Sequence, residues 1–202
     1  MVLRVYFDGL CEPSNPGGVA CYGVVVYDGS TRVYSEGKVV GAGMFGDDVT
    51  NNVAEYHGVI RGLEWLADKG MVDRKVVVFG DSMLVIKQLN GEYSVKSHRI
   101  VPLYDRAMVL AGSFFDLVFQ WIPRSKNFEA DALSRNAYEK FALSNFEFFQ
   151  TYYRNVLLTK KQADFIRKLG GTPSPLMSKR DASKLIEDLV RKRAQRTLDS
   201  FG

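Results

Sequence analysis

The chain has 202 residues, enough for one well-buried domain and an appendage. Its 46% hydrophobic and 25% charged content matches an ordinary globular protein rather than a disordered one, and no apolar run approaches the roughly 18 residues a membrane helix needs. The net charge of +4 is uneven: residues 151–202 hold 12 Lys/Arg against 5 Asp/Glu, whereas residues 1–150 hold 15 against 18.

Residues 2–8 predict a strand ending at Asp8, with Gly9 allowing a tight exit. Residues 20–28 and 32–40 predict a second and third strand, joined by the Asp28-Gly29-Ser30 turn. A Gly-rich loop at 41–49 follows. From Asn52 to Asp68, the residues Val53, Tyr56, Val59, Ile60, Leu63 and Leu66 recur at helical spacing. The run KVVVFGDS is short and continuously apolar, as expected for a parallel strand covered on both faces. It leads into a second helix at about 82–90, ended by Asn90-Gly91, and a third at about 99–112. FFDLVFQWIP predicts the fifth strand, and the last helix of this part begins near Asn127. The order βββαβααβα implies a three-strand meander extended through helical crossovers, an α/β architecture with a mixed five-stranded sheet flanked by helices on both faces.

Three parts are expected: a body over 1–141, an aromatic connector over 142–158, and a basic helical extension over 159–202. The connector FALSNFEFFQTYYRN packs on the body or offers a base-stacking surface. The extension predicts a small two-helix unit. Thr159 and Gln162 stand in capping-box spacing, the first helix stops at Gly170-Gly171, and Ser178 and Asp181 open the second.

Cys11 and Cys21 form neither a disulfide framework nor a metal-ligand spacing. With residues 1–10 lacking a secretory pattern, a reducing cytoplasm is expected.

Acidic residues carry the chemistry. Asp8 and Asp81 lie at the carboxyl ends of predicted strands, where ligands gather in open sheets with helical crossovers. Glu55 and Asp131 lie in the predicted first turns of their helices, where a carboxylate is also favoured simply by the helix dipole. Glu129, Asp47 and Asp48 are assigned no role. Four converging carboxylates need cations, because like charges raise one another's pKa. An oxygen-only set suits Mg²⁺ or Mn²⁺, and two such ions suit phosphoryl chemistry. Spacing alone leaves other sites open.

YFDG, NPGG, YGVV, TNNVAEYHGVIRGLEWL, VFGDS and NFEADALSR, in this order over residues 1–141, resemble the type 1 ribonuclease H family. The resemblance implies a ribonuclease H-like fold, with Asp8, Glu55, Asp81 and Asp131 as the metal-binding D-E-D-D set holding two Mg²⁺ ions, replaceable by Mn²⁺. It implies endonucleolytic hydrolysis of the RNA strand of an RNA–DNA hybrid through metal-activated water, leaving 5′-phosphate and 3′-hydroxyl ends. Asp8 and Asp81 would flank both metals, Glu55 would also meet the neighbouring 2′-hydroxyl, and Asp131 would hold the metal nearer the water.

By the same resemblance, Asn15 and the main chain at Cys11 lie along the RNA minor groove, where the 2′-hydroxyl is read. Asn51 and Asn52 contact the two strands, and Thr50 grips a DNA phosphate, although helix capping accounts for such residues equally. Ser94, Lys96 and Ser97 are further candidates for that phosphate.

Two features depart from the family pattern. QLNGEYSVKSHRIVPLYDRA lacks the basic, Trp-rich protrusion that many members carry. The loop before Asp131 lacks the catalytic His of many members, since the chain holds only His57, expected to be structural, and His98. Arg124 occupies that loop, either attracting the scissile phosphate or as an ordinary surface residue. It cannot shuttle protons near neutral pH.

A monomer acting on RNA–DNA hybrid, without a membrane, is expected. The extension binds nucleic acid, docks a protein partner or forms a lid. The alternatives to a ribonuclease H are a non-catalytic hybrid-binding module and a related metal nuclease acting on duplex RNA or branched DNA.

Overall fold

The structure is a computed structural model describing residues 2–199, with side chains to Gln195. Residues 200–202 of the predicted extension lie outside the described residues. Five strands, β1 (Leu3–Glu12), β2 (Val19–Asp28), β3 (Thr31–Ala42), β4 (Lys75–Gly80) and β5 (Asp116–Trp121), form one sheet in the order β3-β2-β1-β4-β5. The first three are antiparallel, while β4 pairs parallel with both β1 and β5. The mixed five-stranded sheet follows the sequence expectation, and the order adds that β1 and β4 are neighbours.

The strand boundaries differ in one consequential place. β1 runs four residues beyond Asp8, because its two edges end at different points. Its parallel pairing with β4 stops at Phe7↔Gly80, but its antiparallel pairing with β2 continues from Asp8↔Gly23 to Glu12↔Val19. Asp8 is therefore not a strand end, and Gly9 is not an exit turn. Asp8 stands one residue past the last parallel pair, beside the opening where β4 leaves the sheet.

The helices of this part are α1 (Asn51–Asp68), α2 (Met83–Leu89), α3 (Val101–Ala111) and α4 (Phe128–Ser144). Thr50 caps α1, its hydroxyl accepting from the Val53 N–H at 3.2 Å. All six apolar residues of the predicted stripe are buried, mainly against Leu3, Val5 and Phe7 of β1 and Val24 and Val26 of β2. Ser82 caps α2 by accepting from the Val85 N–H, and Gly91 follows that helix at φ +73°. The expected third helix starts two residues later than predicted.

Two glycines let helices lie close on opposite faces of the sheet beside Asp8. A Cβ on Gly9 would come within 2.3 Å of the Glu55 amide nitrogen, and one on Gly23 within 2.0 Å of the Ala130 carbonyl oxygen. Gly9 thus seats α1 and Gly23 seats α4. Side chains alternate across a strand, so Gly9 shares a face with Phe7 while Asp8 turns toward α4.

The chain divides into two compact units, one ending at Phe141 and one beginning at Ala142. In the second, α5 (Phe146–Tyr153), α6 (Lys160–Lys168) and α7 (Lys179–Asp199) account for the helices. The Thr159–Gln162 capping box forms as its spacing predicts, and Ser178 accepts from the Asp181 N–H at 3.1 Å. Gly170 follows α6 in the left-handed region at φ +82°. Ile166 and Ala182 are buried between α6 and α7, and Leu157 bridges Ser178. The stretch expected as a connector carries a helix of its own. No helix among the described residues is long and apolar enough to cross a membrane.

Candidate active site

Asp8 and Glu55 are both 5% exposed, an unusual burial for carboxylates without a salt-bridging partner. Glu55 is the fifth residue of α1, not in its first turn as expected, because the helix begins at Asn51 directly after the Thr50 cap. The helix dipole therefore does not account for it. Its Oε2 is buried and has no hydrogen-bond partner. Burial first, then the charges of Asp8 and Asp81, push its pKa well above the usual value, with Arg124 pulling the other way.

Asp8 rises from 3.8 to about 6. Burial is the main cause; the Ser134 hydroxyl opposes it, Asp81 and Asp131 add to it, and Arg124 opposes it. Asp8 thus lies within the fields of Asp81 and Asp131, and Glu55 within those of Asp8 and Asp81. A cleft of about 300 Å³ is lined by Asp8, Glu55, Asp81, Ser82, Asn51 and Arg124. Asp131 sits in the first turn of α4, as predicted.

Each acid except Glu55 is held by the chain itself. Ser134, fully buried one turn beyond Asp131 on α4, donates its hydroxyl to Asp8 Oδ2 and lies 2.9 Å from the Asp131 carbonyl oxygen. Asn127, 1% exposed, donates from Nδ2 to Asp81 Oδ1 and to the Phe7 carbonyl, each at 2.7 Å. The Trp121 indole N–H donates to the Asp81 carbonyl at 3.0 Å, tying the end of β5 to the end of β4. Arg124 donates to Asp131 Oδ1, and Arg135 approaches the same oxygen at 3.7 Å. Asn127, Ser134 and Arg135 were not among the sequence candidates. Position just before a helix is the only signal that marks Asn127. Ser134 lies three residues after Asp131, a spacing that places both on neighbouring turns.

Among the described residues, no three His, Cys, Asp or Glu side chains converge tightly enough to clasp an ion together as they stand. Two arginines, a serine and an asparagine occupy part of the carboxylate oxygens. The donor set still fits a hard divalent cation. Its groups are all oxygens, and Glu55 supplies a buried one with no other partner.

The remaining candidates fall in three places. Asn15 and Asn51 clasp each other near the cleft: Asn15 Nδ2 donates to Asn51 Oδ1 at 2.7 Å, and the Asn51 N–H donates to Asn15 Oδ1 at 3.2 Å. Asn52 is half-buried beside them in the first turn of α1, and Cys11 lines the cleft. The Cys11 thiol is buried and pushed up to about 11, chiefly by that burial, so it is no nucleophile near neutral pH. Ser94, Lys96 and Ser97 are exposed between α2 and α3, in a segment whose Arg99 pairs with Asp48 just before Thr50. His57 lies away from the carboxylates, in a separate cleft with Glu64 and Arg106; burial and Arg106 lower its pKa. His98 is exposed and 4.0 Å from Asp48.

A family model described as "Reverse transcriptase-like" matches residues 7–137. The crystal structure of RNase H1 from Halobacterium salinarum is 35% identical and superposes with a TM-score of 0.61, covering 69% of this chain and 99% of that one. The chain belongs to the type 1 ribonuclease H family. Its relatives include the N-terminal RNase H domain of Rv2228c from Mycobacterium tuberculosis, 34% identical over 71% of this chain and 97% of that domain, TM-score 0.63. The full-length "Bifunctional protein Rv2228c" is 37% identical over 132 residues, of which the chain spans only 34% of the length. LC11-RNase H1, solved in complex with RNA/DNA hybrid, is 34% identical over 68% of this chain and 97% of that one, TM-score 0.61. The ribonuclease H similarity reaches roughly as far as the first unit, and the acids of the cleft all lie inside it.

Proposed function

We propose that the first unit is an endoribonuclease that cleaves the RNA strand of RNA–DNA hybrids, leaving 5′-phosphate and 3′-hydroxyl ends. Glu55 carries this reading: a largely buried carboxylate with an unpartnered oxygen, opening on the cleft beside Asp8 and Asp81, is costly to the fold and suits a cation-dependent site. A relative of 34% identity solved with bound RNA/DNA hybrid supports the substrate.

Asp8, Glu55, Asp81 and Asp131 would hold two Mg²⁺ ions, or Mn²⁺ in their place. When bound, such ions supply Lewis acidity that lowers the pKa of water and stabilises a leaving alkoxide. Water adds to the phosphorus, the bond from phosphorus to the 3′-oxygen breaks, and no side chain becomes a covalent nucleophile. Ser134 and Asn127 fix one oxygen each of Asp8 and Asp81, leaving the other oxygen available as a ligand. Arg124, its guanidinium already at the cleft, attracts the scissile phosphate and offsets its charge. Glu55, together with Asn15, Asn51 and the main chain at Cys11, reads the 2′-hydroxyls of the RNA. Asn52 and Thr50, with Ser94, Lys96 and Ser97, hold the DNA strand and its phosphate.

The test compares labelled RNA–DNA hybrid, RNA duplex, DNA duplex and branched DNA in Mg²⁺ or Mn²⁺, with wild type and Asp81→Asn. Cleavage confined to the hybrid RNA and lost in Asp81→Asn, with hybrid binding retained, is the expected outcome. Equal cleavage of duplex RNA, cleavage of branched DNA alone, or binding without turnover would replace it with one of the other nuclease or binding readings.

A further inference from the structure

The second unit carries a surface that the nuclease reading leaves unused. On α6, Lys161, Phe165 and Lys168 stand at i−4, i and i+3, the spacing that puts three side chains on one helix face. All three are exposed, Phe165 to 45% of its area. The flank of α6 next to this face is spent on packing, through the buried Ile166 and through Gln162, whose side-chain amide donates to the Lys179 carbonyl at 3.0 Å. The only acid on the helix, Asp164, is engaged with Arg167 at 3.0 Å. On α5, Phe148 and Tyr152 are likewise about half exposed, one turn apart, with ring centroids 6.4 Å from each other.

A large aromatic left half in water forgoes apolar burial, and the unit carries three of them, Phe148, Tyr152 and Phe165. Bracketed by lysines, such a ring offers a base a face to stack on and offers the flanking phosphates a cation on either side. Surfaces of this kind bind single-stranded nucleic acid without strong sequence preference. Charge points the same way. Residues 151–202 carry 12 Lys/Arg against 5 Asp/Glu, whereas residues 1–150 carry an excess of acid that repels a polyanion.

We infer that the second unit binds single-stranded nucleic acid through the Lys161–Phe165–Lys168 face of α6. The unpaired flank of a hybrid, or a displaced strand, has the chemistry it fits. The binding is additional to the hybrid cleavage proposed above and does not depend on it.

The test measures binding of the full chain to fluorescein-labelled oligo-rU and oligo-dT by fluorescence anisotropy, in EDTA so that nothing is cleaved, between 50 and 200 mM KCl. Wild type should bind both. Lys161→Glu with Lys168→Glu should weaken binding at least tenfold and flatten the logarithmic salt slope by about 1.4, two contacts at ~0.7 each. Phe165→Ala should weaken it about tenfold with the slope unchanged, and Phe165→Trp should restore it. Preference for one oligonucleotide identifies the strand. Variants that bind as wild type does, or a wild type that binds neither oligonucleotide, overturn the inference and return the extension to the protein-docking or lid roles. Because the variants lie on exposed positions, matching thermal melts confirm that they fold. Hybrid cleavage by the same preparations reports separately on the nuclease reading.

Discussion

Asn127 and Asp81 are joined at 2.7 Å through an amide that also reaches the Phe7 carbonyl at the same distance. One buried side chain thereby links the end of β4, the last parallel-paired residue of β1 and the start of α4. Asn127→Ala removes a charge-assisted bond and orphans a buried carbonyl, a loss of about 2 kcal/mol. Thermal melts should show the lower stability, and turnover should fall with little change in KM, because Asp81 loses its fixed orientation. Asn127→Asp should fall further in turnover, since it sets a second carboxylate against Asp81. Unaltered kcat in both variants would leave Asn127 with a purely structural part.

Burial makes Asp8 a group that opposes folding when charged. Its pKa is 3.8 in an unperturbed chain and about 6 in the fold, so the folded state holds the proton more tightly. The penalty is absent below about pH 3.8, grows from there to about 6 and is complete above it, amounting to about 3 kcal/mol. Asp8→Asn keeps an acceptor for Ser134 and removes the charge. It should melt at a higher temperature than wild type at pH 7.5, with the difference vanishing near pH 4. A difference that is flat across this range would mean that Asp8 titrates normally.

The sheet was legible because its signals are local. Val, Tyr and Phe runs, the Asp28-Gly29 turn and the stripe from Val53 to Leu66 each act within a few residues. β1 was cut short because Asp8-Gly9 has the composition of a turn, whereas the antiparallel partner Val19–Gly23 overrides that preference. Glu55 was placed one helical position too early, in the first turn, because the choice among Thr50, Asn51 and Asn52 as cap depends on which hydroxyl or amide meets the Val53 N–H. The acids at the cleft could be named from motifs, but not the residues that hold them. Ser134 meets Asp8 across 126 positions and Asn127 meets Asp81 across 46, and no periodicity encodes such a pairing.

Arg124 bonds Asp131 and is mostly exposed, with its guanidinium on the cleft rather than spent in the core. An arginine held only by packing would tolerate removal. One that draws the scissile phosphate would not. Arg124→Ala should lower kcat about tenfold, less than the loss typical of an enclosed transition-state donor because solvent screens it. Arg124→Lys should recover part of the rate by retaining the charge. Steady-state rates on a labelled hybrid at two salt concentrations test both, and identical rates for all three proteins would assign Arg124 to the ordinary surface.

Ser134 ties a strand carboxylate to a helix backbone, since its one hydroxyl contacts Asp8 Oδ2 and the Asp131 carbonyl. Groups that orient a metal ligand from behind commonly contribute tenfold to a hundredfold in metal affinity. Ser134→Ala leaves Asp8 charged and buried but free to rotate, so Mg²⁺ binding measured by calorimetry should weaken about tenfold. Ser134→Thr keeps the hydroxyl, and its added methyl meets a fully buried position, so it should recover affinity while melting lower than wild type. Ser134→Ala also loses a buried hydrogen bond and melts lower, so affinity separates the two variants whereas both melt below wild type. Position 134 governs ligand geometry if affinity follows the hydroxyl, and governs only packing if affinity follows the melting temperature.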